Sequence, residues 1–131
     1  MNERITTCGI VLECKKVLVA KRSVGAKTCG LWEFVGGKNR YHESEEETLI
    51  REFDEELGVK VEVGEYLDGV DFVNNDTLYH LKAYRVSLLD NSFSLSVHSE
   101  IKYVSKEELL TLEMVPSDLM LINKLIGKGI I

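Results

Sequence analysis

The sequence predicts an α+β fold in which a mixed β-sheet packs between helices. Three features carry this. Short β-branched apolar runs open the chain, two longer strand-like segments fill its middle, and capped helical stretches stand between and after them.

Residues 5–12 (ITTCGIVL) and 17–21 (VLVAK) are predicted to form a hairpin around a polar Glu13–Lys16 turn. A loop rich in small residues, Ser23–Gly30, leads to a short strand at Leu31–Val35 and then Gly36-Gly37. Residues 44–57 form the clearest helix: Ser44 is a good N-cap, Glu47 completes a capping box, and Gly58 supplies the stop. Residues 59–73 and 77–90 are predicted as strands around Asn74-Asn75-Asp76. A strand near 100–104 precedes helices at 105–111 and 117–126, the second begun by Pro116-Ser117. No repeat or linker interrupts this order, so residues 1–131 are expected to form one domain.

The chain has 131 residues, enough for one well-filled core. Its net charge of −6 argues against binding a nucleic-acid polymer, which requires a basic face. No run is long enough to span a bilayer, so no membrane partner is expected. Cys8, Cys14 and Cys29 form no metal-finger or redox pair; they suit a reducing cytoplasm, as packing or surface residues.

On a wheel of about 100° per residue, Leu49, Ile50, Phe53 and Leu57 form one core-facing stripe of helix 44–57. Glu52, Glu55 and Glu56 share the adjoining flank, while Glu47, Arg51 and Asp54 point more outward. Glu45, Glu46 and Glu47 read as a solvated first turn favoured by the helix dipole. Asp54, Glu55 and Glu56 occupy the last turn, where the dipole prefers cations. Glu52 adds like-charge repulsion at i,i+3 and i,i+4, roughly 0.2–0.5 kcal/mol per pair. A divalent cation would reverse that cost. An all-oxygen carboxylate set suits Mg2+ or Mn2+; zinc is disfavoured because His42, His80 and His98 have no ligand spacing with the cysteines.

Gly37, five residues, Glu43, seven residues, then Arg51-Glu52-Phe53-Asp54-Glu55-Glu56-Leu57-Gly58-Val59 resembles the Nudix box at all nine specified positions over 23 residues. The resemblance implies an α/β/α sandwich with a loop–helix–loop catalytic motif, and hydrolysis of a pyrophosphate bond in a small nucleotide. It implies that Glu52, Glu55, Glu56 and the Gly37 carbonyl hold the divalent metal, that Arg51 and Glu43 form a supporting pair, and that Glu52 or Glu55 accepts the proton from water. Divalent cations would screen the phosphates and lower the pKa of the attacking water.

Outside the box, Leu31-Trp32-Glu33-Phe34-Val35-Gly36-Gly37-Lys38 is similar to the LWEFPGGK stretch of the MutT-type branch, with Val35 in place of proline. That branch includes CTP and oxidised-guanine nucleotide pyrophosphohydrolases. The resemblance makes Arg22 and Lys38 candidate substrate contacts and Asp118 the candidate base reader. The packing alternatives are a solvated strand end for Arg22 and a dipole-stabilised helix start for Asp118. Trp32, Phe72 and Tyr79 are expected to pack, Lys82 and Arg85 to be surface charges, and His80 and His98 to be ordinary strand or loop residues. A branch carboxylate is missing at Val97, and Glu100 stands three residues away. The expected activity is conversion of a nucleoside triphosphate to monophosphate and pyrophosphate. The alternatives are cleavage of ADP-ribose or a dinucleotide, or a non-catalytic nucleotide-binding module. A monomer or homodimer is expected.

Overall fold

The computed structural model describes residues 1–23 and 30–131. Cys29 and most of the Ser23–Gly30 loop lie outside the described residues. Among those described there are eight strands: β1 Asn2–Ile10, β2 Leu12–Glu13, β3 Lys16–Arg22, β4 Trp32–Glu33, β5 Val35–Lys38, β6 Val61–Asn74, β7 Thr77–Leu88 and β8 His98–Val104. The helices are α1 Glu45–Leu57, α2 Lys106–Leu109 and α3 Pro116–Gly127.

The strands form two sheets. One has the order β5-β1-β7-β6, with β1 parallel to β7 and antiparallel to β5. In the other, β8 runs along β3 from Val17 to Arg22, while β2 and β4 pair with opposite ends of β3. The predicted first hairpin therefore needs correction. Only Leu12–Glu13 turns back on β3; the preceding run belongs to the other sheet. Apolar patterning marks both runs as strands but carries no information about which neighbour each will find. Likewise, the single strand expected at Leu31–Val35 is two short strands in different sheets, with Phe34 at the switch.

Alternation along the strands divides the core in two. Val17 and Val19 of β3 join Cys8, Ile10, Phe34 and the α3 residues Leu121, Ile122 and Leu125. Leu18 and Ala20 face the other way, toward Leu49, Phe53 and Leu57 of α1. This is the α/β/α sandwich, with α1 on one side and α2 and α3 on the other. Ile50, placed in the core stripe by the wheel, is 39% exposed, because α1 buries a narrower face than the wheel allows. Gly9 lets β1 approach α1 closely: a Cβ there would lie 2.6 Å from the Phe53 ring.

Helix α1 begins and ends as its sequence dictates. Glu47 N–H donates to Ser44 Oγ at 3.0 Å, and Ser44 N–H donates to the Glu47 carboxylate at 2.9 Å. Gly58 closes the helix at φ 68°, a left-handed conformation that favours glycine. The last turn has no basic residue. Its carbonyls are met instead by the loop before β8: Ser94 N–H donates to Leu57 O, Ser96 N–H to Glu56 O and Ser96 Oγ to Glu55 O. That loop supplies the donors the acidic helix end lacks. Glu45 is not simply solvated; it accepts from Tyr84 Oη at 2.5 Å and Lys82 Nζ at 3.3 Å, tying α1 to β7. Helix α2 is shorter than the predicted 105–111, ending at Leu109.

Candidate active site

Helix α1 presents its carboxylates to β5, the strand that enters it through the Asn39–Glu43 loop. The two approach so closely at Gly37 that a Cβ there would lie 2.5 Å from the Glu52 carboxyl carbon. Glycine at this position leaves room for that carboxylate. Thr7 of β1 donates its hydroxyl to Gly37 O at 3.1 Å, which fixes the direction of the carbonyl. A carbonyl has a second lone pair for another partner.

Arg51 does not point outward as the wheel suggests; its side chain is 17% exposed. It folds back on Glu43 with a two-pronged contact, Nε to Oε2 at 2.7 Å and Nη2 to Oε1 at 3.0 Å. Its Nη1 also reaches Glu52 Oε1 at 2.5 Å and Glu55 Oε2 at 3.3 Å. The Arg51 bond, assisted by Thr48 and the Arg40 backbone, lowers the Glu43 pKa from 4.5 to about 2. A lowered carboxyl pKa contributes stability above its unfolded value and loses it as pH falls through the folded one. The Glu43–Arg51 contribution is therefore present above about pH 4.5 and lost toward pH 2. Replacing Arg51 with Gln strips the charge partner from Glu43 and Glu52, and should destabilise the fold by ~1–3 kcal/mol at neutral pH. Thermal melts at pH 7 and pH 3 test this: the gap between wild type and variant should shrink in acid.

Glu56 is buried, with 8% of its surface exposed. Burial, a hydrogen bond with Glu52 and the nearby charge of Glu33 push its pKa up from 4.5 to about 10. His98, at the start of β8, has a fully buried side chain, with Nε2 2.8 Å from Glu33 Oε2 and 3.7 Å from Glu56 Oε1. One atom each of Glu33, Glu56 and His98 lie within 4.8 Å of one another. Its Nδ1 is buried with no hydrogen-bond partner among the described residues. His98 is thus more than the ordinary strand residue expected from sequence. It braces two carboxylates from the far side of the β3–β8 ladder. The ladder shifts register between Lys21 and Arg22, so Arg22 faces His98 and comes within 3.6 Å of Glu33.

Glu33, Glu56 and Arg22 are among the residues that line a cavity of about 690 Å³. Gly37, Glu52, Glu55, Glu56, Arg22, Lys38 and Asp118, all singled out from the sequence, lie on its walls; Arg51 and Glu43 stand behind them. Val97 lines the cavity, whereas Glu100 is not on its walls. Nothing in the sequence alone marks Glu33, His98 or Thr7 as site residues. A glutamate in a two-residue strand and a histidine 65 residues away acquire meaning only through the sheet.

Asp118 also lines the cavity, from the first turn of α3. Backbone bonds from Trp32 N–H to Glu113 O and from Val115 N–H to Trp32 O hold that turn against β4. Its Oδ2 then accepts the Phe34 N–H at 2.9 Å. Burial, opposed by that bond, raises its pKa from 3.8 to about 7, with the Glu33 charge adding to the rise. Phe72 lines the same region, its ring stacked on Tyr79 at 5.1 Å. Trp32 is buried, in the core cluster beneath α3.

Crowded oxygen donors that cannot all hold charge unaided, beside a glycine that leaves them space, fit a divalent cation. A mixed sheet between helices, with this carboxylate helix entered from a glycine loop, defines a Nudix hydrolase, and the chain matches the NUDIX domain family over residues 2–125. The chain belongs to that family. Within it the chain is MutT-like: it is 35% identical over 108 residues to the CTP pyrophosphohydrolase of Escherichia coli (strain K12), covering 82% of this chain and 80% of that one. It is 41% identical over 54 residues to the 8-oxo-dGTP diphosphatase of Proteus vulgaris, spanning 41% of this chain and 48% of the relative. The solution structure of the E. coli ORF135 protein superposes with a TM-score of 0.84 at 30% identity, covering 97% of this chain and 91% of that one. The protein is therefore an enzyme acting on phosphoric anhydride bonds. Among the described residues, no helix is long and apolar enough to cross a membrane.

Proposed function

We propose that this enzyme converts a nucleoside triphosphate and water to the monophosphate and pyrophosphate, in the cytoplasm. One observation carries the reading: a single cavity is lined both by the α1 carboxylates and by Asp118, which suits a polyphosphate at one part and a base at another. Glu52, Glu55, Glu56 and the Gly37 carbonyl are the residues that would hold Mg2+, with Mn2+ the alternative, supplying charge neutralisation and water activation when bound.

The chain's own residues divide the remaining work. Arg51 occupies one oxygen of Glu52 and fixes its orientation. Glu55, half exposed and with the looser Arg51 contact, is better placed to accept a proton from water. Arg22 and Lys38 offer positive charge to phosphate oxygens. Asp118, with one oxygen taken by Phe34, keeps the other for the base. Protonated, it donates to a base carbonyl; ionised, it accepts from an exocyclic amine. Oxidised guanine and cytosine nucleotides both offer such groups.

A magnesium-dependent release assay across canonical and oxidised triphosphates, with ADP-ribose and a dinucleoside polyphosphate included, tests this. The expected result is pyrophosphate, not orthophosphate, released selectively from one triphosphate. Cleavage confined to ADP-ribose or the dinucleotide would overturn it.

A further inference from the structure

Twenty-two acidic residues outnumber sixteen basic ones in this chain. Among the described residues eight cations sit beside a carboxylate, among them Arg51 with Glu43, Arg85 with Glu65, Lys82 with Glu45 and Lys128 with Asp68. Two arginines on the cavity wall do not. Among the described residues the Arg4 side chain, on β1, donates only to the backbone, through Nη2 to Asn39 O at 3.3 Å. Arg40 has no side-chain ion pair among the described residues; only its backbone bonds Glu43, its N–H donating to the carboxylate and its carbonyl accepting the Glu43 N–H. Both are exposed, and both also line a second, neighbouring groove with Tyr41 and His42.

Their placement follows the strands. Along residues 34–40 the wall offers, in turn, Phe34 with Asp118, Gly37 opposite Glu52, then Lys38 and Arg40. Thr6 pairs with Lys38 and Asn39 N–H donates to Ile5 O, so Arg4 comes to the same end. On β1, Arg4, Thr6 and Cys8 all reach the cavity, and alternation places them on one face, roughly 13 Å from first to last. The base end, the carboxylate site and the arginine end thus follow one another along the cavity.

Resting on the substrate reading above, we propose that Arg4 and Arg40 form an anion site for the terminal phosphates of the triphosphate, the part that leaves as pyrophosphate. Planar guanidinium groups suit phosphate oxygens, and leaving both without carboxylates in an acidic protein keeps them available to a ligand. The site makes the enzyme discriminate triphosphates from diphosphates.

Equilibrium titration in magnesium tests this without turnover, using imido-bridged analogues of cytidine and guanosine tri- and diphosphates, with inorganic pyrophosphate as the isolated tail. Both positions are exposed, and thermal melts serve to check that R4Q/R40Q folds. The double variant should bind the preferred triphosphate and pyrophosphate about tenfold more weakly, ~1.4 kcal/mol. The diphosphate should stay within about twofold, ~0.4 kcal/mol, and R4K/R40K should recover most of the loss. Equal losses on tri- and diphosphate, or none in a folded variant, would overturn the inference alone. A wild type that binds neither nucleotide overturns the substrate reading and the inference with it.

Discussion

Replacing Glu55 and Glu56 together with Gln should lower kcat by ~10³-fold or more while leaving the cation-free fold as stable as before, or more so. The loss follows from removing charged oxygens at the centre where phosphate charge must be neutralised, an effect of several kcal/mol at about 1.4 kcal/mol per tenfold. The retained stability follows from Glu56. Its pKa of about 10 against an ordinary 4.5 means the fold disfavours its ionised form. A raised carboxyl pKa contributes stability below the unfolded value and loses it as pH rises through the folded one. The wild type without cation therefore weakens between about pH 4.5 and pH 10. The amide, having no charge to bury, should flatten that decline. Adding magnesium should raise the melting temperature of the wild type, since a ligand of the folded state stabilises it, and leave the double variant unmoved. Full magnesium-dependent activity in the double variant would sink the proposed site.

What the sequence made legible was local. The capping box of Ser44 and Glu47, the Gly58 stop and the flank shared by Glu52, Glu55 and Glu56 depend on residues within one helix, where spacing determines direction. The Asn75 and Asp76 turn between the long strands was legible for the same reason; both take positive φ, which these residue types tolerate. What escaped depends on long-range pairing. Whether β1 turns back on β3 or crosses to β7 is decided by partners 75 residues away. The Glu33–His98 contact needs β3 to carry β4 and β8 at once. For Arg51 the wheel and the family resemblance point differently: the resemblance pairs it with Glu43, as the structure has it, whereas a wheel gives only the direction of a Cβ, which a long flexible side chain can reverse.

Asp118→Ala should cut kcat/KM for the preferred triphosphate by ~10²-fold and much less for the others. A site built to hydrogen-bond its substrate rejects analogues steeply, and losing the contact removes that preference. Alanine also leaves the buried Phe34 N–H unpaired, at a cost of ~1–3 kcal/mol to the fold. Asn is therefore the sharper probe, because its carbonyl can still accept the Phe34 proton. With the Asp118 pKa at about 7, raised by burial and by Glu33 against the Phe34 bond, wild-type stability should fall as pH rises from about 3.8 to 7. That is the sign for a raised carboxyl: its contribution is complete below the unfolded pKa and lost through the folded one. Asp118→Asn should remove this decline, so its melting temperature gains on the wild type between pH 5 and pH 8. In the wild type, KM for the preferred base should turn near pH 7 as the carboxyl changes from donor to acceptor, and in the Asn variant that turn should vanish. If the variant instead lost activity equally on every base and kept the inflection, Asp118 would only be holding β4 against α3, and base reading would belong to another wall of the cavity.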